Sequence, residues 1–101
     1  MTSSTPVDIG TLLTRTPDVY GGRLCLAGTR YPVTHVGSQY REGMSAEEIA
    51  DDYSLPLELV YAGVTYYLAN RAAVDAEIEE DDRLYMEAYA KHTAERNNAP
   101  N

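Results

Sequence analysis

The sequence predicts a mainly α protein: a helix-turn-helix-like three-helix unit, preceded by a short β element and followed by one more helix. Three observations carry that reading. Residues that favour strands cluster, with Gly and Pro punctuation, only as far as Val33. From Val33 onward the apolar positions recur three and four apart. From Arg71 to the end the chain is highly charged and keeps only a narrow apolar stripe.

The β element follows a lead, residues 1–10, that reads as flexible. "TLLTRT" and "RLCLAGTRYPV" hold the β-formers, with Pro17-Asp18 and Gly21-Gly22 between them. Leu24 and Leu26 fall on one face of a strand, and Arg23 and Cys25 on the other. Ala27-Gly28-Thr29 reads as a tight turn, because Gly28 can take a positive φ without steric conflict. The expected sheet is a hairpin of residues 22–26 and 29–33, with Pro32 at its end or on an edge.

Val33, Val36 and Tyr40 open the first helix, and Gly43 stops it. Ser45 followed by Glu48 is a capping box that starts the second, with Ile49, Ala50 and Tyr53 on its inner side. Pro56 suits the first turn of the third. There Leu57, Val60, Tyr61, Val64, Tyr67 and Leu68 form the expected buried stripe, and Asn70 is the stop. These helices with a Gly turn after the first make the trihelical unit, so residues 11–70 read as the domain. Residues 71–101 read as a long acidic amphipathic helix that frays near Asn97, with Val74, Ile78, Tyr85, Tyr89 and His92 on its stripe. Nine Tyr, with no Phe or Trp, imply many half-buried surfaces.

Charge narrows the function classes. The net charge is −8, which disfavours nonspecific binding to nucleic acid or anionic lipid. No apolar run is long enough to span a bilayer, and "MTSSTPVDIG" lacks the basic and apolar blocks of a signal peptide. A single cysteine, Cys25, excludes an internal disulfide and fits a cytoplasmic protein. The charge is also polarised. Residues 1–41 carry Arg15, Arg23, Arg30 and Arg41 against Asp8 and Asp18, a net of +2. Residues 42–101 carry a net of −10.

That polarity bears on DNA. The third helix would present Glu58, Leu59, Ala62, Thr65, Tyr66 and Ala69 outward, with no Lys or Arg among them to meet phosphates. A packing role therefore suits it better than a recognition role. Arg15, Arg23, Arg30 and Arg41 are the candidate contacts to DNA or to an acidic partner. The competing reading pairs these arginines with the protein's own acids.

Catalytic chemistry has little to stand on. Cys25 sits between two leucines, as a buried structural thiol would. His35 and His92 are too few and too scattered for a metal site. "EIEEDD" lacks the glycine and the alternating ligands of a calcium loop. No enzyme, no cofactor and no metal are expected.

The run "YGGRLCLAGTRYPVTHV", followed by "REGMSAEEIADDYSLPLELVYAGVTYYLAN", resembles the family called domain of unknown function 433. The residues that carry the resemblance are Gly21, Gly22, Arg23, Cys25, Gly28, Thr29, Arg30, Pro32 and Val33, then Gly43, Met44, Ser45, Glu47, Glu48 and Ile49. The resemblance covers roughly residues 12–70 and implies a homeodomain-like helical fold behind a short β element, often dimeric. It also implies an antitoxin that neutralises a PIN-like ribonuclease toxin and co-represses its operon. Two alternatives stand beside it: a stand-alone DNA-binding regulator, and a structural or interaction protein with another partner. The acidic helical unit favours the first, with DNA bound only in complex with a partner.

Two surfaces are expected to do the binding. A homodimer would cover the strand edges and bury Leu24, Leu26 and Tyr31. The last helix would bind the toxin through Tyr85, Tyr89 and Arg83. Arg83 is the cation expected to enter a carboxylate-lined nuclease site, because its planar fork pairs two oxygens at once.

Overall fold

The structure is a computed structural model that describes residues 8–97, with side chains described as far as Thr93. Most of the expected flexible lead (residues 1–7) and the end of the tail (98–101) lie outside the described residues. The elements run in order as a 3-10 turn at Ile9–Thr11, strand β1 at Leu13–Arg15, a second 3-10 turn at Tyr20–Gly22 and strand β2 at Leu24–Leu26. Helices α1 (Val33–Arg41), α2 (Ala46–Asp52), α3 (Leu57–Ala69) and α4 (Arg71–Asn97) follow. The protein is thus mainly helical with a short two-stranded sheet, as its sequence predicts.

The sheet is not the expected hairpin. β2 pairs antiparallel with β1, placing Leu26 opposite Leu13 and Leu24 opposite Arg15. Residues 29–33 make only one isolated bridge, Pro32 with Cys25. The cause is local competition for backbone groups. The Thr29 hydroxyl donates to the Leu26 carbonyl at 2.8 Å and accepts the Tyr31 amide at 3.0 Å. Pro32 has no amide to continue a ladder. Gly28 does take the expected left-handed conformation, at φ 73°.

The helix boundaries follow local chemistry. α1 begins after Pro32 and ends before Gly43, whose φ of 106° no side chain would favour. The capping box of α2 is formed. The Ser45 Oγ accepts the Glu48 amide at 3.1 Å, and the Glu48 carboxylate accepts the Ser45 amide at 2.9 Å. Pro56 sits one position earlier than expected, at the N-cap of α3. Asn70 ends α3, and α4 starts at once from Arg71.

α1, α2 and α3 close around Leu26, Val33, Val36, Ile49, Leu59, Val60 and Val64. The buried face of α3 is rotated from the expected one. Leu59 and Gly63 join Val60, Val64 and Tyr67 inside, while Leu57, Tyr61 and Leu68 are exposed. The rotation follows from close helix approach. A methyl group at Gly63 would lie 3.2 Å from both Leu26 and Val36, so a residue with no apolar signal marks the contact line. A smaller cluster of Tyr67, Val74 and Ile78 fixes the start of α4 to α3 and α1.

Candidate functional site

The first turns of α4 are tied to the domain by ion pairs as well as by Val74 and Ile78. Arg23, just before β2, grips Asp81 with both terminal guanidinium nitrogens, the Nη2 at 2.7 Å from Oδ1. Arg41, at the end of α1, lies 3.1 Å from Asp75. The same Asp75 oxygen accepts the Tyr67 hydroxyl at 2.9 Å. Two of the four candidate arginines are therefore engaged with the protein's own acids. Arg15 donates to the Gly22 carbonyl at 3.3 Å. Arg30 is exposed beside the Gly28 turn, with no hydrogen bond or ion pair to the described residues. Phosphate contacts by Arg23 and Arg41 would have to displace these carboxylates.

The Arg23 hydrogen bonds and charge hold the Asp81 carboxyl below the usual aspartate range, against the opposing effect of burial. Both side chains are about one-third exposed, so solvent screens the pair. Arg23→Ala is expected to lower stability by about 1 kcal/mol. A carboxyl with a lowered folded pKa stabilises the protein above its unfolded pKa and stops doing so as pH falls through the folded one. The difference between wild type and Arg23→Ala should therefore be full at neutral pH. It should shrink below the ordinary aspartate range. Urea unfolding at a series of pH values reads both.

Past Asp81 the helix leaves the domain. Leu84, Tyr85, Met86 and Tyr89 are all exposed, Tyr85 by 69%. The single stripe read from the sequence therefore has two fates. Its first members, Val74 and Ile78, are core. Tyr85, Tyr89 and His92 project on a free arm, joined by Leu84 and Met86, which fall off the predicted stripe and carried no periodic signal. Arg83 lies against its own helix, 2.5 Å from Glu80 and 2.6 Å from Glu87. Exposed pairs of this kind are weak, so an incoming carboxylate can displace them.

A second surface was not foreseen as one. A groove with a cavity volume of about 700 Å³ runs between the β element and α3. Ile9, Gly10, Leu12, Leu13 and Leu24 line one side, and Glu58, Tyr61, Ala62, Thr65, Tyr66, Ala69 and Asn70 the other. Its α3 wall holds five of the six residues read from the sequence as that helix's outward face, all except the buried Leu59. The β side of the groove had no such signal, because it depends on β1 pairing with β2.

Cys25, Tyr31 and His35 are the nearby residues with catalytic potential. Cys25 is buried, and burial pushes its thiol up despite Arg23 nearby. Tyr31 is pushed up to about 12 by burial, and its hydroxyl donates to Gln39 at 2.7 Å. His35 lies edge-on to the Tyr31 ring, at 5.5 Å. Among the described residues no group of three or more His, Cys, Asp or Glu is arranged to hold a metal ion, and no helix is long and apolar enough to cross a membrane.

These features define a small helix-turn-helix-like module with an N-terminal two-stranded sheet and a projecting acidic helix. The chain belongs to the DUF433 family, described as a protein of unknown function, which matches residues 13–67. A crystal structure of a DUF433 member protein from Anabaena variabilis ATCC 29413 is similar, with a TM-score of 0.60 and 30% sequence identity. The similarity covers 68% of this chain and 69% of that one. Among curated proteins there is no match.

Proposed function

We propose that the protein is a cytoplasmic, homodimeric, antitoxin-like binding protein that neutralises a PIN-like ribonuclease and binds operator DNA only together with it. The observation that carries this reading is the arm of α4. A run of large apolar side chains, Leu84, Tyr85, Met86 and Tyr89, stands in solvent on a helix that the domain anchors at its other end. Tyrosines on such a helix give large contact area at little entropic loss, as interface anchors do. Glu79, Glu80, Asp82 and Glu87 beside them would speed encounter with a basic nuclease surface. The engagement of Arg23 and Arg41 within the chain supports the view that the isolated protein is a poor DNA ligand.

The test uses the PIN-type ribonuclease that this reading expects to be encoded beside the chain. Purified wild-type protein should bind it and stop RNA cleavage. Tyr85→Ala combined with Tyr89→Ala should weaken binding by on the order of a hundredfold without changing the fold, because both rings are exposed in the free protein. Cleavage that continues under saturating wild-type protein would refute the reading.

A further inference from the structure

The groove beside α3 is notable for its chemistry. Of the residues lining it only Glu58 is charged, on a chain in which 24% of residues are. Apolar groups stand open in it: Ile9 is 75% exposed and Tyr61 46% exposed. Single exposed apolar residues are ordinary, but a continuous apolar groove marks a contact surface.

Charge selects the occupant. With residues 42–101 at a net −10, two copies of this chain repel one another wherever their acidic helical surfaces would meet across a two-fold axis. A self-contact must use a patch poor in acid, and this groove is one. A basic partner would instead be drawn to the acidic α4 arm, and an acidic one to Arg30. The sheet points the same way. β1 pairs only with β2, so its other edge is open among the described residues, next to the groove that Leu12 and Leu13 help to line. A sheet of two three-residue strands is marginal by itself, and an open edge is a template for another strand.

We propose that this groove is the contact between two copies of the chain. β1 lies beside β1 of the second copy across a two-fold axis, making four strands of two, and Ile9 of each copy enters the groove of the other. The assignment rests on the homodimer reading above and adds its surface. It leaves the α4 arm free for the nuclease. The arrangement is isologous, so one patch closes the assembly at two copies.

Sedimentation and light scattering of the full chain at tens of micromolar test it. Wild type should be a dimer. Ala62→Glu puts an extra carboxylate on each side of the contact, close to Glu58, and should raise the dissociation constant by on the order of tenfold or more. Ala76→Glu, the same change on an exposed position of α4, should leave the dimer intact. Circular dichroism checks that both variants fold. An independent measurement needs no variant: amide exchange in residues 9–15 of wild type should slow as concentration rises from below to above the dissociation constant. A wild-type monomer at these concentrations would overturn both the groove assignment and the homodimer reading. A folded Ala62→Glu dimer as tight as wild type would overturn the groove assignment alone. So would a wild-type dimer whose exchange in 9–15 ignores concentration, even if Ala62→Glu failed to fold.

Discussion

Gly37→Val should destabilise the folded chain by about 3 kcal/mol, more than any surface change considered above. Gly37 lies in the middle of α1 and is buried against the ring of Tyr67. A β-carbon built there would come 2.7 Å from Tyr67 Cδ1 and 3.2 Å from Cγ. Contacts that short do not occur, so either the ring or the helix has to move. The ring is badly placed to retreat. Tyr67 is 2% exposed, and its hydroxyl is held by Asp75 at 2.9 Å. Arg71 stacks over it at 5.4 Å, and the Tyr40 ring meets it edge-on at 6.3 Å. Removing a glycine from a helix interior gives back at most about 1 kcal/mol of propensity, which is smaller than the overpacking term. Gly37→Ala should therefore be destabilising too, but less so. Urea unfolding with an unchanged m-value is the measurement. A Gly37→Val protein as stable as wild type would mean that α1 and α3 do not approach this closely.

Leu26→Ala should lower stability by a similar amount, about 3 kcal/mol. Leu26 is fully buried at the end of β2 and packs on the face of α3 at Gly63. Its backbone is fixed independently of the side chain. The amide donates to the Tyr31 carbonyl at 3.0 Å, and the Leu26 carbonyl accepts the Thr29 amide at 3.0 Å and its hydroxyl at 2.8 Å. The strand therefore cannot collapse into the space that the leucine leaves, and the cavity penalty adds to the lost burial. For a chain of this size the melting temperature should fall by roughly 12 to 24 °C. Leu84→Ala, on the exposed arm, should change it little. Equal melting temperatures for wild type and Leu26→Ala would show that the β element is an appendage and not part of the core.

Much of this architecture is written in neighbouring residues. Ser45 and Glu48 are three apart, and their capping box needs nothing beyond the turn they sit in. Gly28, Gly43 and Asn70 mark where the backbone must change direction, and each does so where expected. The switch from strand to helix at Val33 is a change of period within one stretch of chain. Interactions of this range exist before the chain is compact, so the sequence alone determined the helices, their order and most of their ends.

Tertiary structure decided the pairings. β2 could take a partner from either side in sequence. Residues 13–15 took one edge of β2, while on the other edge Thr29 and Pro32 left only the Cys25–Pro32 bridge. The inner face of α3 was set by how closely α1 and β2 approach Gly63, which hydropathy cannot register because glycine has no side chain to count. The stripe of α4 kept one period throughout, yet only its first half met a surface: the domain ends near Asp81 while the helix continues. Arg23 and Asp81 stand 58 residues apart, and no local pattern couples them. Their charges could as well have faced DNA, a partner or water. Packing brought them within 2.7 Å, because a half-buried guanidinium and a half-buried carboxylate each lose hydration that the other restores.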